Sequence, residues 1–288
     1  MAMEAESSLE WLSPGDLDHL KVSPDGRCWW CRERASTTGE HKYKQTDLAR
    51  LMGDDSLIWA GDGGTREIRG KSGIKRDRYG VVKFPKSMCD TCNNARSQSF
   101  DRAYTTFSTY LDSTWVRIQP GVSFEEIYGD PWQKDTLDLA RYYGKHFGCR
   151  MVRSGLPVPD SLRAFLDGDD DMPDAHTALV TTDSVHRVAG KGLTLSSDFV
   201  WTNRERTEFR GCVMAAYVGS VGVRYQWWAE RQRPEGWDSQ FFHFPTPVIN
   251  CFEDEQALME GRTRRPGWFS RFSQWLNRPS SHGNAEQG

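Results

Sequence analysis

The sequence predicts an α+β protein, and three observations support this class. Two C-x2-C pairs lie in the first third of the chain, where four thiolates could pin short strands and a helix around a metal ion. Apolar residues then recur at helical spacing from the second pair as far as residue 166. After residue 176 the chain changes to short runs of β-branched and aromatic residues separated by turn residues, which is typical of an antiparallel sheet.

Length and charge limit the class of protein. At 288 residues the chain is longer than an average domain, so one large or two modest domains are expected. The formal net charge of −3 excludes the overall basic balance of a nucleic-acid coat protein, so a nucleic-acid site must be a local patch. The N-terminus lacks a signal-peptide pattern, and the longest apolar run, 213–223, is too short to span a bilayer. A cytoplasmic protein without a transmembrane segment is therefore expected.

Four of the seven cysteines form the two C-x2-C pairs. Cys28 and Cys31 make the first pair, and Cys89 and Cys92 make the second. Each pair can present two thiolates on a tight turn, and four thiolates are a complete ligand set for tetrahedral Zn²⁺. An odd number of cysteines also favours metal binding in a reducing compartment over a disulfide framework. The other three are expected to pack as small hydrophobic residues: Cys149, Cys212 and Cys251.

The chain around and between the pairs predicts short elements. The first pair should lie on a β-hairpin, with Trp29 and Trp30 on opposite sides. Packing beside the metal site is the favoured use of these tryptophans, and stacking on nucleic acid is the alternative. A short helix is predicted over 46–53, bounded by a capping Thr or Asp and a final Gly, and a strand over 57–60, ended by a glycine-rich turn.

A basic segment, residues 65–86, also lies between the pairs. It carries eight Lys and Arg residues against two acidic residues, a local charge of +6, and its glycines indicate an exposed hairpin or loop. Phosphate contacts are expected where positive charge is this dense, and a solvated loop without a ligand is the alternative. The candidates for nucleic-acid contact are Lys71, Lys75, Arg76 and Arg78.

A long amphipathic helix is predicted over 93–111, because its apolar residues recur at i, i+3, i+4 and i+7. Asn93 would lie in the first turn, where free backbone N–H groups and the positive end of the helix dipole favour a phosphate. Arg96 lies one turn further along and could hold that phosphate or a neighbouring one. Asp101 could support a metal ligand, but an ordinary salt bridge or an exposed acidic residue is the favoured interpretation.

These residues resemble the HNH endonucleases of the zinc-stapled kind. The pattern of that family runs C-x2-C, then Asp/Glu-His, then C-x2-C-Asn-x-x-Lys/Arg. In this sequence it reads Cys28-x2-Cys31, Glu40-His41 and Cys89-x2-Cys92-Asn93-x-x-Arg96. The middle Asn of the family pattern has no counterpart, because no asparagine lies between His41 and Cys89. The resemblance is confined to the N-terminal part of the chain.

The resemblance implies a ββα-metal core that hydrolyses phosphodiester bonds of nucleic acid, with DNA as the expected substrate. His41 would be the general base that activates water. Glu40 and Asn93 would hold a catalytic Mg²⁺ or another divalent ion, and the four cysteines would hold structural Zn²⁺. Because neighbouring side chains of an extended segment point in opposite directions, Glu40 could face the ion while His41 faces the water. The alternative is an inactive zinc module that binds nucleic acid or a protein partner.

The rest of the chain predicts helices and then strands. Helices are expected over 122–128, 132–147 and 161–166, with the second ending at Gly148, and an acidic turn over 168–174 is the best linker. The strands are expected over 177–182, 194–202, 209–218, 221–228 and 241–244, with a hairpin turn at Gly219 and Ser220.

Five segments follow from these patterns. They are an N-terminal segment (1–26), the HNH-like zinc domain (27–118), a helical segment (119–175), a β-rich domain (176–260) and a basic amphipathic tail (261–288). Target recognition, dimerisation into a homo-oligomer and effector sensing are alternatives for the β-rich domain. The tail is expected to dock its aromatic face on the protein itself, with an anionic membrane or nucleic acid as alternatives.

Overall fold

The structure is a computed structural model of the whole chain. It describes residues 15–52, 56–61, 64–69, 82–114, 123–181, 193–195, 198–218 and 221–229. The chain divides into two units, Met1–Ile249 and Asn250–Gly288, and every described residue belongs to the first. The predictions for residues 70–81, the strand over 241–244 and the tail over 261–288 lie outside the described residues. Among the helices in these ranges, none combines the length and apolarity needed to cross a bilayer.

The predicted α+β class is confirmed. Within the described ranges the α-helices are α1 (Gln45–Met52), α2 (Gln98–Thr114), α3 (Phe124–Tyr128), α4 (Trp132–Arg153) and α5 (Asp160–Asp167). The strands are β1 (Ser56–Gly61), β2 (Gly64–Arg69), β3 (Ala175–Thr181), β4 (Leu193–Leu195), β5 (Phe199–Thr202), β6 (Phe209–Val218) and β7 (Val221–Trp228). A 3₁₀ turn covers Asp18–Leu20, and a π-helical turn covers Thr91–Ala95.

The Glu-His motif lies on the segment 38–42. This segment pairs in antiparallel fashion with the segment 82–88. Isolated bridges join Thr38 to Met88 and His41 to Lys83, and the amide of Phe84 donates to the carbonyl of Glu40 at 2.8 Å. A Cβ on Gly39 would lie 2.2 Å from the Phe84 carbonyl oxygen, so this close pairing requires glycine. The antiparallel hairpin of β1 and β2 lies between the two segments in sequence. β2 uses the first residues of the basic segment.

The second cysteine pair changes the start of the long helix. The prediction that Asn93 lies in the first turn of an α-helix was wrong, because Asn93 belongs to the π-helical turn and α2 begins at Gln98. The amide of Arg96 donates to the carbonyl of Thr91, five residues earlier, at 2.9 Å. At the start of this wider turn, the amide of Cys92 donates to the sulfur of Cys89 at 3.4 Å.

α4 is the central helix of the described unit and is longer than predicted. The prediction that it ends at Gly148 was wrong, because it continues to Arg153. Gly148 lies inside the helix because the ring of Trp29 packs directly on it, and a Cβ there would lie 2.3 Å from Trp29 Cη2. α4 contacts α2, α3, α5 and β7. Close packing, rather than helix propensity, explains this glycine.

The C-terminal strands form one antiparallel sheet in the order β3-β7-β6-β4, with β5 also paired to β6. The bounds predicted for β6 and β7 are confirmed. The single strand predicted over 194–202 was wrong, since it is two strands that pair with opposite ends of β6. The sheet packs against α4, as predicted. Tyr225 stacks on Phe147 with ring centroids 5.5 Å apart, and Arg150 Nη1 donates to the Ala215 carbonyl at 2.9 Å.

Candidate metal centre and catalytic centre

The four cysteines of the two C-x2-C pairs converge. The sulfur atoms of Cys28, Cys31, Cys89 and Cys92 all lie within 4.8 Å of one another, and those of Cys31 and Cys89 are 3.9 Å apart. A tetrahedral zinc ion with Zn–S bonds of about 2.3 Å requires S···S edges of about 3.8 Å. These four thiols could therefore hold a metal ion such as zinc, as the sequence predicted.

Tight turns present the sulfur atoms. In the first pair, the amide of Arg32 donates to the carbonyl of Cys28 at 2.8 Å, and Arg32 has a φ of 59° in the left-handed region. Burial tends to raise the pKa of Cys31, but hydrogen bonds from the backbone of Arg34 and Glu33 outweigh it and lower that pKa to about 7. The thiolate form that a metal ion needs is therefore favoured at Cys31, whereas burial raises the pKa of Cys28 in the same pair.

Trp29 and Trp30 pack inside the protein, which confirms the favoured interpretation. They are 6% and 2% exposed, so neither ring is available to stack on nucleic acid. The indole N–H of Trp29 donates to the sulfur of Cys149 at 3.3 Å. The ring of Trp30 stacks on Phe100, with centroids 6.1 Å apart, and its N–H donates to Asp167.

Arg96 contacts the cysteine cluster. Its Nη1 lies 3.6 Å from the sulfur of Cys92, and its guanidinium lies over the ring of Trp30 at 4.6 Å from the centroid. It also forms a salt bridge with Asp167. Arg96 thus ties the second cysteine pair to α5, and its contact with a nucleic-acid phosphate stays a prediction. The other predicted phosphate contacts, Lys71, Lys75, Arg76 and Arg78, lie outside the described residues.

Glu40 is buried and uses both carboxylate oxygens. Its Oε1 accepts the backbone N–H of His41 at 3.0 Å, and its Oε2 pairs with Lys145 Nζ at 2.8 Å. Burial lowers the pKa of His41, and the positive charge of Lys83 lowers it further. The imidazole is therefore neutral at neutral pH, which is the form able to accept a proton.

Two further polar atoms of the predicted catalytic residues are buried and have no partner among the described residues. His41 Nε2 and Asn93 Oδ1 have no hydrogen-bond partner within the part of the chain that the structure describes. Buried polar atoms are rarely left without a partner, and such exceptions often mark a site for a ligand or an ion. These two atoms belong to two of the three residues that the sequence assigned to catalysis.

Lys145 is the residue of this centre that sequence reasoning missed. It lies on α4, is only 1% exposed, and its Nζ donates to Ser97 Oγ at 3.1 Å as well as pairing with Glu40. Ser97 Oγ in turn donates to the carbonyl of Asn93 at 2.8 Å. A chain of contacts thus joins Glu40 to the backbone of Asn93. The available signal was a lysine within the buried stretch of a helix, next to Gly144.

Asp101 forms the predicted salt bridges. Its Oδ2 lies 3.6 Å from Lys145 Nζ, and its Oδ1 lies 3.5 Å from Lys44 Nζ. Lys44 also donates to the Asp101 carbonyl at 2.6 Å and to Thr105 Oγ1 at 2.8 Å. Asp101 therefore connects α2 to two lysines without touching Glu40 or His41 through any contact that the structure describes.

The donor atoms at this centre fit a hard divalent cation. Asn93 Oδ1 is a buried amide oxygen with no partner in the described part of the chain, and amide and carboxylate oxygens are the ligands that Mg²⁺ and Ca²⁺ prefer. Each carboxylate oxygen has two lone pairs, so Glu40 Oε1 can accept the His41 amide and still ligate a cation. By donor type, Glu40 and Asn93 therefore suit the divalent ion that the resemblance implied.

Comparisons of this chain with protein-family models, with curated protein sequences and with solved structures find no match.

Proposed function

We propose that this protein is a metal-dependent endonuclease of the HNH type, with a ββα-metal centre that hydrolyses phosphodiester bonds, in DNA by preference. One observation carries the proposal: the side-chain atoms His41 Nε2 and Asn93 Oδ1 are both buried with no hydrogen-bond partner among the described residues, in two segments linked through Glu40, Lys145 and Ser97. We assign the two β pieces of such a centre to the paired segments 38–42 and 82–88, and its helical part to the turn at 91–95 and α2.

Structural zinc in the four-cysteine cluster supports this centre. The cluster joins the turn before the first extended segment to the turn after the second, so a bound ion would fix their separation. The free energy of metal binding in such sites is also folding free energy. We therefore assign Cys28, Cys31, Cys89 and Cys92 to stability and not to the reaction.

The proposed roles in hydrolysis follow from the contacts. His41 accepts a proton from the attacking water at Nε2, because burial keeps its imidazole neutral and no described residue occupies that atom. Glu40 and Asn93 would hold the divalent ion, which when bound polarises a phosphoryl oxygen and stabilises the departing oxygen. Glu40 also fixes the backbone at His41 by accepting its amide N–H.

A second candidate function is a zinc module that binds nucleic acid or a protein without cleaving. The contact between Glu40 and Lys145 favours it, because the ammonium group already balances the charge of this buried carboxylate. A buried carboxylate that is paired in this way needs no metal ion for its stability.

Plasmid cleavage separates the two candidates. Purified protein is incubated with supercoiled plasmid in Mg²⁺, Mn²⁺ or EDTA, beside His41→Ala and the control His19→Ala. His19 is exposed, and in the described part of the chain its ring Nε2 hydrogen bonds a backbone oxygen of Arg206. We expect cleavage that requires metal, is unchanged in the control and falls about 100-fold or more in His41→Ala, the usual loss on removing a general base.

One result of this experiment would refute the nuclease proposal. Wild type and His41→Ala would leave the plasmid intact in every metal and retard it equally on a gel. That outcome would establish the binding module instead.

A further inference from the structure

Lys145 has no solvent-facing task. Its side chain is 1% exposed, and its ammonium group is surrounded by Glu40 Oε2 at 2.8 Å, Ser97 Oγ at 3.1 Å and Asp101 Oδ2 at 3.6 Å. An ammonium group has three N–H donors, and three protein oxygens face this one. Two of these oxygens, from Glu40 and Ser97, lie within hydrogen-bond distance, and Asp101 is an ion-pair partner. Because the side chain is 1% exposed, its contacts lie inside the protein.

The oxygens around Lys145 come from two elements that carry the proposed ion ligands. Glu40 belongs to the segment 38–42. Ser97 lies between the turn that carries Asn93 and α2, and Asp101 lies in the first turn of α2. Ser97 Oγ also donates to the Asn93 carbonyl at 2.8 Å. Lys145, from the middle of α4, therefore joins the segment of one proposed ligand to the turn of the other.

The charged groups around Lys145 balance one another and hold the Glu40 carboxylate in place. Glu40 and Asp101 contribute two negative charges, and Lys145 and Lys44 contribute two positive charges through contacts of 2.8–3.6 Å. Lys145 contacts Oε2 of Glu40 and leaves Oε1 next to the His41 amide. One oxygen of the carboxylate is thus anchored, and the other is held beside the proposed general base.

We infer that Lys145 is a positioning residue: it orients Glu40 toward the turn carrying Asn93 so that both can bind one divalent cation. This inference rests on the proposed function and extends the centre to α4, outside the segment 27–118 that the sequence assigned to the zinc domain. A partner that orients a metal ligand typically raises metal affinity 10- to 100-fold.

The test measures Mn²⁺ binding by electron paramagnetic resonance on zinc-loaded full-length protein, with zinc content and thermal melting recorded in parallel. Lys145→Met removes the charge at similar length. Lys44→Met is the matched control, because Lys44 contacts Asp101 but not Glu40. We expect Lys145→Met to weaken Mn²⁺ binding about 10-fold or more and Lys44→Met to leave it within about 2-fold.

Two more variants keep the test valid if Lys145→Met alone does not fold. One is Glu40→Gln, and the other is the double variant that carries Glu40→Gln and Lys145→Met. Removing both charges of a buried pair avoids leaving one of them without a partner. Because Lys145 acts through Glu40, adding Lys145→Met to Glu40→Gln should change Mn²⁺ affinity no further. A further 10-fold loss in the double variant would overturn the inference, since Lys145 would then act by another route.

The other outcomes also discriminate. If Lys145→Met folds, keeps its zinc and binds Mn²⁺ as tightly as wild type or more tightly, the inference is wrong, and tighter binding would identify the lysine as a competitor of the cation. In that case Mn²⁺ binding that still depends on Glu40 leaves the nuclease proposal standing. If wild type shows no Mn²⁺ site that Glu40→Gln weakens, the proposed catalytic ion fails, and the inference fails with it.

Discussion

At the scale of single residues, the protein buries charged side chains and imidazole rings, which usually lie at the protein surface. His146 is an instructive case because it follows Lys145 on α4 and, like His41, has a buried ring nitrogen with no partner among the described residues. Its Nε2 is 3.1 Å from the Lys42 carbonyl, and its ring meets Phe84 edge-on at 5.0 Å. Burial lowers the pKa of His146 to about 3, and the nearby cations Arg150, Lys145 and Lys42 also favour the neutral ring.

The depressed pKa of His146 predicts a dependence of stability on pH. The unfolded chain binds a proton near pH 6.5 and the folded protein does not, so the free energy of unfolding should fall as the pH drops from about 6.5 toward 3. The contribution of this one group is about 1.4 kcal/mol per pH unit. His146→Gln keeps a donor for the Lys42 carbonyl and cannot titrate, so its stability should fall less steeply by that amount.

Urea unfolding between pH 7 and pH 4 measures the difference. Comparing wild type with His146→Gln at each pH removes the contribution of the carboxylates, which titrate in both proteins. Parallel stability curves for the two proteins would show that His146 does not remain neutral in the fold.

At the scale of elements, contacts between distant segments decide features that local sequence leaves undetermined. The wide turn at Thr91–Ala95 and the continuation of α4 through Gly148 are both examples. A glycine within a helix is normally unfavourable, by about 1 kcal/mol relative to alanine. Here the ring of Trp29 occupies the space that a side chain at 148 would need.

Gly148→Ala should therefore destabilise the protein even though alanine favours a helix. The added Cβ would lie 2.3 Å from Trp29 Cη2, and such overpacking usually costs about 1–3 kcal/mol. Gly144→Ala on the same helix is the control, because its Cβ would meet Leu162 Cδ1 at 3.1 Å, at the end of a flexible side chain. Chemical denaturation should give a clearly lower free energy of unfolding for the first variant than for the second. Equal values would mean that the Trp29 contact does not constrain α4.

At the scale of the whole molecule, the sequence predicted those features that a local residue pattern determines. The bounds of β6 and β7 follow from their apolar residues and the intervening turn signal, and the convergence of the four cysteines follows from their spacing. The division of the 194–202 strand depends on its pairing with β6, which no local pattern records. Lys145 could not be assigned to the centre because its partner Glu40 lies on a distant segment, joined to it only by the tertiary fold.

The candidate centre shows the same limit. The Glu40-His41 motif and Asn93 after the last cysteine are visible as short patterns, so their residues could be named from the sequence alone. The contacts that connect them run through α4 and the start of α2. They follow from how the helices pack in the folded unit and not from any one segment.

The positions of bound metal ions test the central claim most directly. Crystals grown with zinc, soaked in Mn²⁺ and measured by anomalous X-ray scattering at both absorption edges would place each ion separately. We predict zinc among the sulfur atoms of Cys28, Cys31, Cys89 and Cys92, and Mn²⁺ in contact with Glu40 and Asn93 Oδ1 beside His41. Zinc elsewhere, or Mn²⁺ missing from Glu40 and Asn93 even with a bound oligonucleotide, would contradict the account.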